Sequence, residues 1–539
     1  MTVLLFPGRH LLNTAFQEQY LRGLLRMPLA ALPFLDAQRP GAGSPIDQIV
    51  FAVTSANQQH ARYNPIPFHV RAIGVDRFAR PLEMTFGIQY RIIGIPHYPP
   101  TPRFAEFVLK EIAEQTEGGL ALTPTNCAVL TCTPGIMTMF QQLGFAILPA
   151  ESAFDPKPDT PHDLLQKLVA VGDQWFSDRE LREKVAAATF DLWQDFPDVP
   201  RRVLRLWRDP LLTEAGDLTA NRDYAAYATG MGNQEIIRLK YADIKEAIVP
   251  GKIVDEGCAD GALLALIAAD FPDSDLIGIE ITGEFMARAL DRQRAGDFGG
   301  AYVHFHQRNI TQPLFEPGSI DTTICNSTTH ELWSYGDGEA TLRAYLAEKF
   351  RQTRAGGRLV IRDVVGPAEK EQEVYLWLNA ADGRTPDPTP PTDPAAKQRY
   401  REELSTDGRF HHFAQEFLAA PIRYRREEVD GVPYVVLTLQ EAVEFMSKKD
   451  YTANWDSEMH EAFAFWDFDQ WKGALTAVGF TVLENPNEPA RGSRVYTNPW
   501  IVQNRWQGQV KLYRRAEGDG RLHPLPWPPT NIVIVGEKR

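Results

Sequence analysis

Two stretches carry residue types and spacings suited to holding an activated or charged ligand. In the first, Lys252-Ile-Val-Asp-Glu-Gly-Cys-Ala-Asp-Gly-Ala-Leu-Leu reads as a strand, a glycine turn and the start of a helix. Gly257 and Gly261 let the backbone approach a ligand closely. The next apolar run, Asp275-Leu-Ile-Gly-Ile-Glu280, ends in a carboxylate 23 residues past Gly257. In a βαβ unit that spacing sets Glu280 where a ribose hydroxyl pair would lie. Downstream, Asn326-Ser-Thr-Thr-His-Glu-Leu-Trp-Ser-Tyr335 follows the run Ile320–Asn326. Acceptors bind at the strand ends of such sheets. His330 is therefore the candidate general base and Glu331 an orienter or second base, with capping or packing at a strand end as the alternative.

The second stretch is N-terminal. Phe6-Pro-Gly-Arg-His-Leu-Leu-Asn13 follows a short apolar run and opens a helix. A strand end bearing Gly8, Arg9 and His10 before a helix N-terminus suits a phosphate, although a plain turn has the same appearance. Val53-Thr-Ser-Ala-Asn follows another strand-like run and leads through Asn64-Pro65 to Arg71. Arg9, His10 and Arg71 are suitable types for stabilising charge on a transferring phosphoryl group, with surface ion pairing as the alternative for the arginines.

These residues need elements to position them. Val3–Phe6, Ile49–Thr54, Tyr90–Ile95, Ala128–Thr131 and Phe145–Leu148 read as strands. Helical periodicity fills Asn13–Arg26 and Gly135–Leu143 between them, and such alternation predicts a parallel sheet. Residues 160–215 read as helical, with Trp175, Trp193 and Trp207. A second βαβ series starts at Ile253. The expected division is 1–215 and 216–539, with Asn221–Ala247 as a helical lead-in. Tyr224, Tyr227 and Met231 in that lead-in are candidates to fold over a ligand, with an ordinary amphipathic helix as the alternative. The proline-rich Gly383–Pro394 cannot be a helix interior or central strand and is expected as an exposed loop. It lies inside an insertion of about 365–470, read as a lid or acceptor pocket. The charges of Glu458-Met-His-Glu461 there are expected to pack rather than react, and Asp363 to cap a helix or pair with Arg362.

The second stretch of βαβ pattern resembles class I S-adenosylmethionine-dependent methyltransferases. Asp255-Glu-Gly-Cys-Ala-Asp-Gly261 resembles their first motif, with Ala259 where glycine is common. Glu280 matches their ribose-binding acid, and Asn309-Ile310 the position that contacts the adenine. Ile320–Asn326 resembles their fourth strand, Gly356–Arg362 their fifth, and Thr530–Gly536 their last, antiparallel strand. The resemblance implies S-adenosylmethionine held by Asp255, Gly257, Cys258, Gly261, Glu280, Asn309, Ile310 and Asn326. A nicotinamide dinucleotide would call for a fuller GxGxxG than this chain has.

The N-terminal part is similar to the nicotinamide-mononucleotide adenylyltransferase family. Ser55, Asn64, Pro65 and Arg71 match its small-residue turn and Asn-Pro-Phe-like segment. Tyr90–Pro96 and Ala128–Ile147 resemble its following strands. The resemblance implies a nucleotide site using Phe6, Gly8, Asn13, Ser55 and Asn64, a nucleoside triphosphate (ATP or CTP) and Mg²⁺. There are two departures. Asn13 stands where the family's second histidine falls, and Thr160-Pro-His-Asp-Leu-Leu-Gln-Lys-Leu lacks the family's arginine, leaving His162 or Lys167 as substitutes.

Composition narrows the function further. The 539 residues are 44% hydrophobic and 23% charged, as in ordinary globular proteins. A net charge of −14 disfavours long nucleic acid and anionic membranes, while leaving tRNA ends open. Four scattered cysteines without CxxC spacing predict neither a metal centre nor a redox motif, and a reducing compartment. The N-terminal Met1–Asn13 lacks the basic flank of a signal peptide, and no run is apolar enough to span a membrane, so a cytoplasmic location is expected.

The fold expected is α/β, with two Rossmann-like domains on parallel-type sheets, the second a class I methyltransferase fold with a large insertion. The function expected is bifunctional: nucleotidyl transfer to a small phosphate or phosphonate, and methyl transfer to a small-molecule or nucleotide-like acceptor. The alternatives are a methyltransferase whose degenerate N-terminal domain only binds a nucleotide-like acceptor, and a non-enzymatic sensor of both ligands. The acceptor, the base preference and the oligomeric state are not legible in the residues.

Overall fold

A computed structural model describes residues 1–35, 40, 45–58, 61–209, 234–387, 391, 393–485, 492–516 and 520–539. The chain divides into two compact units, Met1–Thr219 and Ala220–Arg539.

In the first unit, strands β1 (Thr2–Gly8), β2 (Ile46–Val53), β3 (Gln89–Gly94), β4 (Cys127–Thr131) and β5 (Ala146–Pro149) form one sheet. Its order is β3-β2-β1-β4-β5, and every pairing is parallel. Alternation along each strand feeds two cores. Leu4, Phe6, Ile49 and Phe51 enter one, while Val3, Leu5, Val50 and Ala52 enter the other. Burial on both faces explains why β1, β2, β4 and β5 read as apolar runs, while the edge strand β3 is partly exposed. The helix Ala15–Leu24 starts at a capping box, in which Thr14 accepts from the Gln17 amide and Gln17 returns the bond. Four helices between Pro161 and Arg208 build a further core around Leu12, Ile66, Trp175 and Trp193. Strand order reverses between β1 and β4, where ligands bind in open parallel sheets.

In the second unit, β6 (Lys252–Glu256), β7 (Asp275–Glu280), β8 (Val303–Gln307), β9 (Ile320–Asn326) and β10 (Thr353–Val364) are parallel neighbours. Three further strands belong to the layers that follow: β11 (Glu373–Leu378), β12 (Arg425–Val429) and β13 (Val432–Thr438). After them come β14 (Thr481–Val482), β15 (Arg494–Tyr496), β16 (Val510–Arg515), β17 (Leu522–Pro524) and β18 (Asn531–Glu537). The main sheet runs β14-β18-β10-β9-β6-β7-β8, with β15 also on β18. Strand β18 is antiparallel to β10, β14 and β15, as the sequence predicts for the last strand. Again two cores cover the faces. Val254, Ile279, Ile361 and Ile534 lie on one side, and Ile253, Leu276, Val360 and Val535 on the other.

The insertion has its own antiparallel sheet, ordered β12-β13-β11-β16-β17. Val374, Leu376, Val435, Leu437, Val510 and Leu512 form its apolar face, under the helices Thr406–Glu416 and Leu439–Lys448. It therefore draws β16 and β17 from beyond the stretch 365–470. The helix Phe468–Val478 packs with the main sheet instead, through Trp471, Ala474 and Leu475. The proline-rich stretch is described only in part, and its last residue starts the helix Pro394–Glu403. Among the described residues, no helix is long and apolar enough to cross a membrane.

Candidate active site

The glycine turn after β6 is forced by its surroundings. Gly257 and Gly261 have φ of +76° and +78°, and Ala259 between them +46°. A Cβ on Gly257 would lie 2.4 Å from Thr328 Oγ1, and one on Gly261 3.0 Å from Phe305. The turn therefore presses directly on the segment that carries His330. Cys258 is placed differently from its expected role. Its side chain is buried in the core beside Phe305 and Leu264, so only its main chain borders the turn. Burial, then the carboxylates of Asp255 and Glu280, raise its thiol well above the usual range.

Glu280 ends β7 and accepts main-chain N–H bonds from Ala259 at 3.0 Å and from Ile281 and Thr282 at 2.8 Å each. It thus clamps the turn, and burial still raises its pKa. Asp255 sits at the end of β6 with 2% of its surface exposed. Its Oδ2 has no hydrogen-bond partner among the described residues. Burial, followed by repulsion from Glu280 and Glu256, pushes its pKa up to about 7. Lys240, on the helix Gln234–Ile244, is lowered to about 8 by burial and by Arg362, against the pull of Asp363 and Asp255. Asn309 is buried and accepts from the Thr311 amide and hydroxyl at 3.0 and 2.9 Å. Ile310 is placed in the core, where its carbonyl accepts from Lys349 at 3.2 Å. Asn326 closes β9, half-buried beside Ser327, whose φ is +56°.

A buried acid with one unbonded oxygen, a turn whose two glycines leave no room for a Cβ and a second acid bound to that turn together fit S-adenosylmethionine. Asp255, the 257–261 main chain, Glu280 and Asn309 are the groups that would hold it.

His330 lies on the helix Thr329–Tyr335 and is 6% exposed. Its Nδ1–H donates to Asp363 Oδ1 at 2.7 Å, and its Nε2 lies 3.5 Å from Glu461 Oε2. Asp363 also accepts from the amides of Thr329, His330 and Val364 and from the Thr329 hydroxyl. It is a helix cap, as anticipated, but its ionic partner is His330. Arg362 instead pairs with Asp243 at 3.1 Å. Burial works against a charged imidazole, yet Asp363 and Glu461 outweigh it and raise the His330 pKa well above 6.5. The raised pKa favours the imidazolium, which has no lone pair to accept a proton, and Glu461 is the carboxylate that sequence reasoning did not place in front of it.

Glu461 and Glu458 are the residues that sequence reasoning assigned to packing. Their i, i+3 spacing, one helical turn, was the available signal. Tyr335 OH donates to Glu461 at 3.3 Å, and Phe463 sets its ring edge-on to His330 at 5.0 Å. Glu458 receives a 2.7 Å bond from Asn454 on one oxygen, while the other, Oε2, is buried without a partner among the described residues. Glu331 is half-buried, and its charge reaches Glu458. Glu256, which was given no role, points to the opposite face from Asp255. It meets Tyr345 OH at 2.6 Å and the Lys349 ammonium, with no exposed surface on Glu256 or Lys349. That pair ties the helix Gly338–Gln352 under β6.

The N-terminal candidates are arranged otherwise than expected. Arg71 is turned into the fold, 2% exposed. Its guanidinium donates to the carbonyls of Arg9 and Thr54 at 2.8 Å each and of Ser55 at 2.9 Å. Burial and then Arg9 lower its pKa to about 10. His10, with φ +47°, donates from Nε2 to the Phe6 carbonyl at 3.0 Å and packs edge-on to Phe6 and Phe51. Burial above all lowers it to about 4, so it is neutral at pH 7. Both residues are committed to holding the strand ends together rather than facing a phosphate. A Cβ on Gly8 would lie in ordinary contact with that ring, 3.4 Å from His10 Nε2.

Asn13 is buried, with its main-chain N–H donating to Thr189 Oγ1 at 3.2 Å, and the Asn64 side chain donates across the turn to the carbonyls of Ser55 and Gln58. Ser55 Oγ lies 3.1 Å from His97 Nδ1, and Tyr63 stacks on the His97 ring. Arg9 is exposed, over the Tyr63 ring and bonded to its carbonyl at 2.5 Å. Tyr224, Tyr227 and Met231 lie outside the described residues.

Residues 250–408 match a family described as a methyltransferase domain. The main sheet order, the reversed β18 and this match define a class I S-adenosylmethionine-dependent methyltransferase domain in the C-terminal unit. No curated protein matches the chain. Among solved structures, a candidate O-methyltransferase from Nostoc punctiforme is 11% identical, with a TM-score of 0.31 over 59% of this chain and 62% of its own. The chain thus spans less than two thirds of that protein's length. An S-adenosylmethionine-dependent methyltransferase from Methanosarcina mazei is 14% identical, with a TM-score of 0.28 over 55% of this chain and 96% of its own. One from Mesorhizobium loti is also 14% identical, with a TM-score of 0.28 over 57% and 99%.

Proposed function

We propose that the protein transfers a methyl group from S-adenosylmethionine to a small-molecule or nucleotide-like acceptor, bound where the insertion meets the main sheet. The observation that carries this is Asp255. Its Oδ2, buried at the end of β6 with no hydrogen bond among the described residues although Lys240 lies within electrostatic reach, is costly there unless a ligand brings a donor. The ligand's ammonium suits that oxygen, and Glu280 Oε2, which takes one main-chain bond, has a lone pair left for a ribose hydroxyl. S-Adenosylmethionine, when bound, supplies an electrophilic methyl on a sulfonium. The chain's part is to position and to exclude water, and to give the acceptor's proton a destination. His330, held by Asp363, is a fixed positive charge that orients Glu461, and the proton acceptor is a carboxylate of the Glu331, Glu458 and Glu461 group. Methyl transfer from labelled S-adenosylmethionine into cell-extract metabolites tests this. Label must be incorporated by the native chain and lost with Asp255→Asn.

For the N-terminal unit, the commitments of Arg71 and His10 favour binding of a nucleotide-like group without chemistry over nucleotidyl transfer. Transfer to a phosphate or phosphonate from ATP or CTP with Mg²⁺ would call for cations at the strand ends, and Arg9 is the exposed one of the three candidates. Pyrophosphate release with any nucleoside triphosphate and Mg²⁺ would restore the bifunctional reading. Nucleotide binding without release supports the present one.

A further inference from the structure

We propose that the methyl acceptor is an amine, bound as its ammonium against Glu458 and Glu461 and methylated on nitrogen. The inference deepens the methyl-transfer reading and rests on it.

Two of the cations near Glu458 are held by other acids. The Lys448 ammonium is fully buried against Glu444, 3.8 Å from the centre of the Phe463 ring. Glu444 is itself held by the amides of Phe463 and Ala464. His330 is held by Asp363. Glu458 differs from these. It is 4% exposed, one oxygen has Asn454, and the other is buried with nothing bonded to it among the described residues. An unpaired carboxyl oxygen in such a place is stabilised by a ligand that brings a donor, and best by a charged one. Around it stand Glu461, Glu331, His330 and Lys448, and Arg505, which interacts with Tyr451, Asp450 and Glu458. Burial first, then Glu461, hold the Glu458 proton up to about 8 against the pull of Lys448 and His330. An anionic acceptor would meet these carboxylates directly and be repelled, and a neutral alcohol would leave their repulsion standing. An ammonium relieves it. Placement agrees, because Thr328 touches the Gly257 turn and the next two residues are bonded to Asp363.

The step balances as follows. Binding of the ammonium favours the ionised form of Glu458, and the substrate R–NH₃⁺ then gives one proton to that carboxylate. The nitrogen lone pair then forms the N–C bond to the methyl as the C–S bond breaks with its electron pair to sulfur. The products are R–NH₂⁺–CH₃ and the neutral thioether, with the proton left on Glu458. Glu458 is thereby the proton acceptor, with His330 held by Asp363.

The test uses the full chain with butylamine, benzylamine and phenethylamine, each matched to its alcohol and carboxylate. Binding is measured by calorimetry with and without saturating S-adenosylhomocysteine. At least one amine is expected to bind about tenfold tighter than its matched alcohol and carboxylate, as a charge-assisted bond to a buried partner predicts. Glu458→Gln is expected to reduce that preference to about threefold or less while S-adenosylhomocysteine still binds. Should that variant fail to fold, Glu461→Gln serves the same arm. Equal or tighter binding of alcohols or carboxylates, no amine binding, or a preference that survives both substitutions would overturn the proposal. Failure of S-adenosylhomocysteine to bind is a separate result that sinks the methyl-transfer reading, while the cation preference is still read from the arm without it.

Discussion

Asp255→Asn should move stability and ligand binding in opposite directions. The native carboxyl is buried and titrates near 7 against an ordinary value of 3.8. At 1.36 kcal/mol per pH unit, that difference is about 4 kcal/mol of cost to the folded state once the group is ionised. Relaxation of neighbouring groups lowers the figure, and about 2 kcal/mol is expected in practice. The sign follows from linkage. An acid whose folded pKa is raised leaves the fold intact at low pH, and its cost builds as pH rises from about 4 to about 7. Asn carries no charge, so the variant should equal the native chain near pH 4 and exceed it by about 2 kcal/mol at pH 8. Urea unfolding of the C-terminal unit, followed by tryptophan fluorescence at both pH values, reads this. The variant should also bind S-adenosylhomocysteine about tenfold more weakly at pH 8, because a charge-assisted bond is lost. Equal stabilities at pH 8, or unchanged affinity, would refute the view of Asp255 as a strained acid awaiting a cation.

Other perturbations probe the remaining assignments. Asp363→Asn leaves the His330 charge without its buried partner and weakens the cap of its helix, so a loss of about 3–5 kcal/mol is expected in urea titration. Lys349→Met should cost about 3–5 kcal/mol by stranding Glu256, whereas Lys349→Met with Glu256→Leu should recover most of it, since paired apolar groups of similar volume avoid the desolvation cost. Arg71→Met removes three bonds to buried carbonyls and should lower the stability of the N-terminal unit by about 3 kcal/mol in a thermal melt followed by circular dichroism. Glu458 is an acid raised to about 8, so native stability should fall as pH rises from the ordinary carboxyl range through about 8, and Glu458→Gln should flatten that slope in melts between pH 6 and about 9.

What the sequence discloses, and what it hides, follows from range. Local patterns suffice for β1, β2, β4 and β5, which are buried on both faces and read as apolar runs, and for β6, β7, β9 and β10 through their methyltransferase-like motifs, while β8, with His304 exposed, gives no such run. The turn from Gly257 to Gly261 is legible because φ near +77° and a Cβ meeting Thr328 leave glycine little competition at Gly257. Glu280 is legible because the βαβ unit has a nearly fixed length. The antiparallel sheet of the insertion is not. Its central strand β11 pairs with β13 and with β16, and Tyr375 faces Tyr513 far along the chain. The His330 site is half legible. His330 and Glu331 stand out after a strand, but the state of the imidazole is set by Asp363 and Glu461, 33 and 131 residues on. At β1, a glycine, an arginine and a histidine read as a phosphate turn. Only the fold reveals that Arg71 already satisfies the carbonyls there and that His10 is sealed between aromatic rings.

The central claim is that the 257–261 turn, Asp255 and Glu280 form one site for S-adenosylmethionine. Calorimetric titration of S-adenosylmethionine into the full chain, native and Glu280→Gln, tests it most directly. The account predicts saturable one-to-one binding to the native chain and an affinity about tenfold or more weaker in the variant, whose amide cannot accept the same set of bonds. No binding to the native chain, or equal affinity for both, would contradict it.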